Sequence, residues 1–137
     1  MERLYGGEIP PLNELSPLTL AFLGDGVYEV FVREYLVGKG NCPVKKLHSR
    51  TVELVRCEAQ SKALTEQLWG ILTEEEQAVA TRGRNAHVGH VPKNAEVADY
   101  HGATALETLF GYLYLKGETA RLRELFELIL EGIEDAV

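Results

Sequence analysis

Leu20-Ala21-Phe22-Leu23-Gly24-Asp25-Gly26-Val27-Tyr28-Glu29-Val30-Phe31 is the stretch on which the fold turns. Its apolar residues do not alternate with polar ones, as a half-buried strand requires; they recur at the three- and four-residue spacing of a helix. Asp25 shares a face with Ala21, Phe22 and Tyr28, and Glu29 lies one turn further on. Glycines flank it on both sides, and each costs a helix interior about 1 kcal/mol relative to alanine. A glycine kept at that cost signals the close approach of a packed helix or a ligand. A carboxylate on so apolar a face loses hydration unless it is paired or binds a cation. Two readings of Asp25 follow: a partly exposed acid at a helix-packing notch, or a metal ligand.

Outward from this stretch the chain reads as helix throughout, so the expected class is all-α, in one domain spanning 1–137. Its 137 residues suffice for one core. Residues 1–15 read as an N-terminal arm. Ser16-Pro17 supplies a hydroxyl cap and a proline where its missing N–H costs nothing, opening a helix that Gly38 and Gly40 end after Val37. A second helix is expected from Val44 to Trp69, with Leu47, Leu54, Ala63, Leu64 and Leu68 on its apolar stripe. Thr73 and Glu76 form a capping box for a third, ending near Gly83. A helical stretch from about Asn94 to Lys116, with a break near Gly102, and a last amphipathic helix from Thr119 to Asp135 complete the pattern.

The segment from Ala103 to Leu115 is the least polar of these and is therefore expected to be central; Glu107 is its only charge. A buried glutamate needs a lysine or arginine partner, or a cation. Magnesium takes oxygen ligands, keeps several waters, and needs only one or two protein carboxylates beside a substrate phosphate. Asp25 and Glu107, brought together from separate helices, suit that demand.

Net charge is −7, which disfavours nucleic acid as a partner, but the charge is unevenly placed. The acidic excess sits in residues 1–32 and 95–137, whereas residues 33–94 carry ten basic and seven acidic groups. That middle segment could face a phosphate backbone. Cys42 and Cys57 lack metal-ligand spacing and follow no apolar signal segment, so two reduced thiols in a cytoplasmic protein are expected. No apolar run is long enough to span a bilayer.

The Leu20–Glu29 stretch resembles the signature helix of the ribonuclease III family. Glu107-Thr108-Leu109-Phe110-Gly111-Tyr112-Leu113-Tyr114-Leu115 is similar to that family's second signature. Three further features resemble the Mini-III branch, which is the catalytic domain alone. They are the absence of chain for a double-stranded-RNA-binding domain, the loop Arg82-Gly83-Arg84-Asn85-Ala86 with Pro92-Lys93-Asn94, and Leu47-His48 with Val55 through Gln60. The resemblance covers roughly 16–116. Two acids of the standard pattern are missing, replaced by Ala21 and Thr104, as in the Mini-III branch. The resemblance implies a helical ribonuclease III-type endonuclease domain in which Asp25 and Glu107 are catalytic and bind Mg2+. It implies hydrolysis of double-stranded RNA to 5′-phosphate and 3′-hydroxyl ends, by a homodimer whose two sites cut the two strands. The RNA would be read by its A-form shape, and precursor large-subunit (23S) ribosomal RNA is the implied substrate.

Arg82, Arg84, Asn85, Lys93 and Asn94 are candidate RNA contacts, in a loop read as Arg82 to Asn94. His87 and His90 have H-x-x-H spacing but no cysteine partner, which argues against zinc. His48 reads as an ordinary helix residue, and Glu29 as a structural or outer group beside Asp25. The alternative to an enzyme is a non-catalytic helical module that binds RNA or ribosomes through the 33–94 face.

Overall fold

The computed structural model describes residues 3–86 and 96–135, and every regular element among them is helical. After a 3-10 turn at Leu12–Glu14, six α-helices follow: α1 (Pro17–Val37), α2 (Val44–Val55), α3 (Cys57–Lys62), α4 (Glu74–Arg84), α5 (Val97–Leu115) and α6 (Thr119–Asp135). The signals at helix ends act as read. Ser16 Oγ accepts from the Thr19 amide at 3.1 Å, with Pro17 in the first turn. Gly38 caps α1, and Gly40 follows in the left-handed region at φ 106°. Thr73 and Glu76 exchange both capping-box bonds at the start of α4.

The expected central helix is central. α5 is largely buried from Gly102 through Leu113, with α1, α3 and α4 packed around it. It runs through Gly102 without the expected break, and begins at Val97 rather than near Asn94 because Glu96 is extended. Gly102 is spent on packing instead: a methyl there would lie 2.8 Å from Ser61 Cβ and 3.2 Å from its Cα, so α3 presses directly on the α5 backbone. Tyr28, Phe31, Phe110 and Phe126 join α1, α5 and α6 through edge-on and tilted ring contacts at 5.0–6.1 Å. Each side chain fully buried in this core contributes about 1.5–3 kcal/mol of transfer free energy.

The single second helix expected from Val44 to Trp69 is a correction. The chain breaks at Arg56, which is extended (ψ 154°), between α2 and α3. It then continues as a π-helical turn at Ala63–Leu68 and a 3-10 turn at Trp69–Ile71. Neither glycine nor proline marks the break. On either side of it, Leu47 and Leu54 of α2 pack on the core and Ser61 of α3 meets Gly102 of α5.

The N-terminal arm lies beside α1 and α5, with the Leu4 amide donating to the Tyr114 hydroxyl at 2.6 Å. Between the arm, α1 and α6 runs an apolar cleft of about 710 Å³, lined among others by Leu4, Ile9, Leu23, Val27 and Val30. No helix among the described residues is long and apolar enough to cross a membrane.

Candidate active site

α1 and α5 cross backbone to backbone at two glycines. A methyl on Gly24 would lie 2.6 Å from the Glu107 carbonyl carbon and 2.8 Å from the Gly111 amide nitrogen; one on Gly111 would lie 2.9 Å from the Leu20 carbonyl carbon. No larger residue fits either position, so the glycine before Asp25 is the notch of a helix crossing. That crossing sets Asp25 beside Glu107. The charge of Asp25 is near enough to raise the pKa of Glu107. The packing-notch and metal-ligand readings of Asp25 are thus compatible: one residue makes the notch, and the next uses it.

The two acids differ in environment. Asp25 is exposed, so the cost of desolvation does not fall on it. It falls on Glu107, which is half-buried among apolar neighbours; burial first, then the charge of Asp25 and the hydrogen bond between them, push its carboxyl up to about 8. Among the described residues no lysine or arginine pairs with either acid. The cationic partner that a structural reading of Glu107 required is therefore not seen there.

Two further groups of α3 reach the site, and composition did not single out either. Gln60 is 1% exposed, and it has a small lowering effect on the pKa of Glu107, outweighed by burial and by Asp25. Neither its Nε2 nor its Oε1 has a hydrogen-bond partner among the described residues. Burial, followed by the charge of Glu107, raises the pKa of the half-buried Cys57 thiol, and Asp99 and Asp25 add to the shift. The break at Arg56 is what aims these residues at α5, and the sequence carries no local signal of it.

A divalent cation fits the pair. Two carboxylates from separate helices lie near each other, and no lysine or arginine among the described residues pairs with either. No cluster of three or more acidic, histidine or cysteine side chains suited to a metal occurs among the described residues. The positions of the two missing acids explain this: Ala21 is buried, and buried Thr104 turns its hydroxyl back to the Tyr100 carbonyl at 2.9 Å. Water and substrate would have to supply the remaining ligands.

Glu29 is engaged elsewhere, in a surface ion pair with Arg33 at 3.1 Å. Arg82 and Arg84 are corrected from loop to helix: they occupy the last turn of α4, and Asn85 is its C-cap, its amide donating to the Thr81 and Gly83 carbonyls. All three are exposed. Lys93, Asn94, His87 and His90 lie outside the described residues. His48 is exposed on α2.

The ribonuclease III domain model matches residues 18–118. A Mini-ribonuclease 3 from a Thermoanaerobacter species is 44% identical over 88% of this chain and 84% of its own length. The Mini-ribonuclease 3 of Symbiobacterium thermophilum is 46% identical over 88% and 92%. A crystal structure of a Fusobacterium nucleatum protein superposes with a TM-score of 0.77 at 28% identity, covering 85% of this chain and 89% of that one.

Proposed function

The chain belongs to the ribonuclease III family, in its Mini-ribonuclease 3 branch, and from that premise we propose that it cuts double-stranded RNA with Mg2+ held by Asp25 and Glu107. It is an endoribonuclease, a hydrolase of phosphodiester bonds, which sets aside a purely binding module. One observation carries the metal assignment: the α1–α5 crossing brings two carboxyl groups together with no cation partner among the described residues.

The chemistry a bound magnesium supplies is polarisation of the scissile phosphate and activation of water for in-line attack. Asp25, exposed at the mouth, presents its charge where an incoming phosphodiester can share a cation with it. Glu107, half-buried on α5, would hold the cation with Asp25 through its carboxylate. The Gly24–Gly111 contact holds the two acids at fixed separation, so substrate does not have to assemble them.

Exposed Arg82, Arg84 and Asn85, with Lys93 and Asn94, are proposed to contact the RNA backbone, which suits recognition of A-form shape rather than base edges. The proposed natural substrate is a double-stranded stem in precursor large-subunit ribosomal RNA, processed in the cytoplasm. A homodimer is proposed so that each strand meets one site. Of the aromatic residues of α1, Tyr28 is buried at 1% and Phe31 packs on the core. Phe22 remains 85% exposed on α1, and with Val30 and the apolar cleft it supports a pairing surface.

Labelled duplex RNA incubated with magnesium or with chelator tests the reading. Cleavage is expected only with magnesium, and Asp25→Asn or Glu107→Gln should abolish it while leaving duplex binding intact. Full activity in either variant removes that residue from the site.

A further inference from the structure

We propose that the outer face of α2 is a second contact for the phosphate backbone of duplex RNA, with Lys45, Lys46 and Arg50 holding the duplex beside the catalytic pair. The inference rests on the reading of the chain as an endoribonuclease of double-stranded RNA, and it assigns residues that hold the duplex rather than cut it.

The described cations fall into two kinds. Some are engaged: Arg33 with Glu29 at 3.1 Å, Lys116 with Glu75 at 2.9 Å, Arg121 with Glu76 at 2.7 Å, and Lys39 over the Tyr35 ring at 4.7 Å. Lys45, Lys46, Arg50 and Arg56 are exposed and pair with no acid among the described residues. They do so in a chain that holds 21 acidic residues against 14 basic ones. Glu53 is the only acid from Lys45 to Arg56, and it forms no ion pair with any of them. Leu47, Thr51 and Leu54 turn inward at helical spacing, which leaves Lys45, Lys46 and Arg50 outside. Nothing in the helix favours those places. Lys46 and Arg50 stand one turn apart, where like charges repel, and both lysines occupy the first turn, the end of a helix that disfavours cations. An unpaired basic surface held against these preferences on an acidic protein points to a polyanion.

Packing carries this face to the site. α2 lies against α1 and passes into α3 at Arg56. α3 meets α5 at Gly102, where a methyl would lie 2.8 Å from Ser61 Cβ. Glu107 follows on α5 about 7.5 Å further along the axis, at the Gly24 crossing. α4 meets the same helix from another side: a methyl on Gly83 would lie 2.6 Å from Thr108 Cβ and 3.1 Å from Ala105 Cα. Arg82 and Arg84, exposed and likewise without an acid partner, stand beside that contact. Two helices with unpaired cations thus lead into the α1–α5 crossing, α2 through α1 and α3, and α4 through α5 itself. At about 18 Å, α2 is long enough to run beside several successive phosphates. An acidic protein could also meet such a face. The family of this chain acts on duplex RNA, however, and a duplex seated at Asp25 and Glu107 passes over the helices next to them.

The test is the full chain carrying Lys45→Ala, Lys46→Ala and Arg50→Ala together. Binding of a labelled RNA duplex is measured in chelator across a salt series, and cleavage of the same duplex is measured with magnesium. Affinity should fall about tenfold or more, and the slope of log affinity against log salt should become shallower by about 3. In cleavage, KM should rise while kcat stays within about twofold, because contacts made equally before and during the reaction affect binding alone. A second variant, Lys39→Ala, Lys62→Ala and Lys116→Ala, removes the same net charge from exposed cations elsewhere and should leave affinity within about twofold of the unmutated protein. If both variants weaken binding equally, the effect is one of overall charge and the proposal is overturned. Unchanged affinity and slope in the α2 variant also overturn it, and leave that face to an acidic partner. If the unmutated protein neither binds nor cuts the duplex, the reading of the function fails first; if it does both and the α2 variant matches it, only the role of α2 fails. Should the alanine variant not fold, Lys45→Arg, Lys46→Arg and Arg50→Lys are compared with glutamine at the same three positions. Equal binding by those two sets refutes the proposal.

Discussion

Glu107 makes the metal-free protein sensitive to alkaline pH, and the size of the effect follows from its displaced proton affinity. In the unfolded chain the carboxyl titrates near its ordinary 4.5; in the fold it is pushed up to about 8. Because the folded value is the higher one, the stability linked to this proton is complete below the unfolded value and is lost as pH rises toward the folded value. At about 1.4 kcal/mol per tenfold change in proton affinity, the loss is roughly 3 kcal/mol at pH 7 and nears 5 kcal/mol above pH 9. That is a large share of a small domain's total stability. Glu107→Gln keeps the shape and removes the titration. Urea unfolding of both proteins in chelator, from pH 5 to pH 9, should show similar stability at the acid end and a growing advantage for the variant at the alkaline end. Asp25→Asn should shrink this pH dependence without abolishing it, because burial, the larger cause, remains. Magnesium should stabilise the unmutated protein more at pH 8 than at pH 6, since the cation replaces the proton. Parallel stability curves for Glu107→Gln and the unmutated protein across the whole range would refute the raised proton affinity of Glu107.

Four further outcomes are expected. Arg121 grips the 5%-exposed Glu76 with two bonds of 2.9 and 2.7 Å; Arg121→Ala should cost about 3 kcal/mol in urea unfolding by stranding that carboxylate, and Glu76→Gln should recover part of the loss. Gly24→Ala should destabilise by about 3 kcal/mol and abolish cleavage by forcing α1 off α5, whereas Gly26→Ala, with nothing within 4 Å, should leave melting unchanged or stabilise by up to about 1 kcal/mol; equal melting of the two variants would contradict the crossing. In a Cys42→Ser background, Cys57 should be alkylated more slowly than free cysteine at pH 8, and Glu107→Gln should speed the reaction by removing a charge that opposes the thiolate. Replacing Arg82 and Arg84 by alanine should weaken duplex binding and lower the slope of log affinity against log salt by about 2; an unchanged slope would show that the end of α4 does not meet the phosphates.

How much of this was legible in the chain divides along a physical line. Helix ends and helix faces are local: Ser16-Pro17, the Thr73–Glu76 capping box and the period of Leu122, Leu125, Phe126 and Ile129 act over one or two turns, and each held. The lone charge of an otherwise apolar segment likewise marked Glu107 and the central place of α5 without any coordinates. Contacts between segments far apart in sequence left weaker marks. Gly24 and Gly102 announced that something came close but not what: a carbonyl of α5 in one case and the serine of α3 in the other. The break at Arg56 carries neither glycine nor proline to mark it, and beyond it α3 packs on α5. Gln60 and Cys57 depend wholly on that turn. A polar residue on a helix reads the same in sequence whether it faces water or a carboxylate, and only the packing of α3 on α5 decides which.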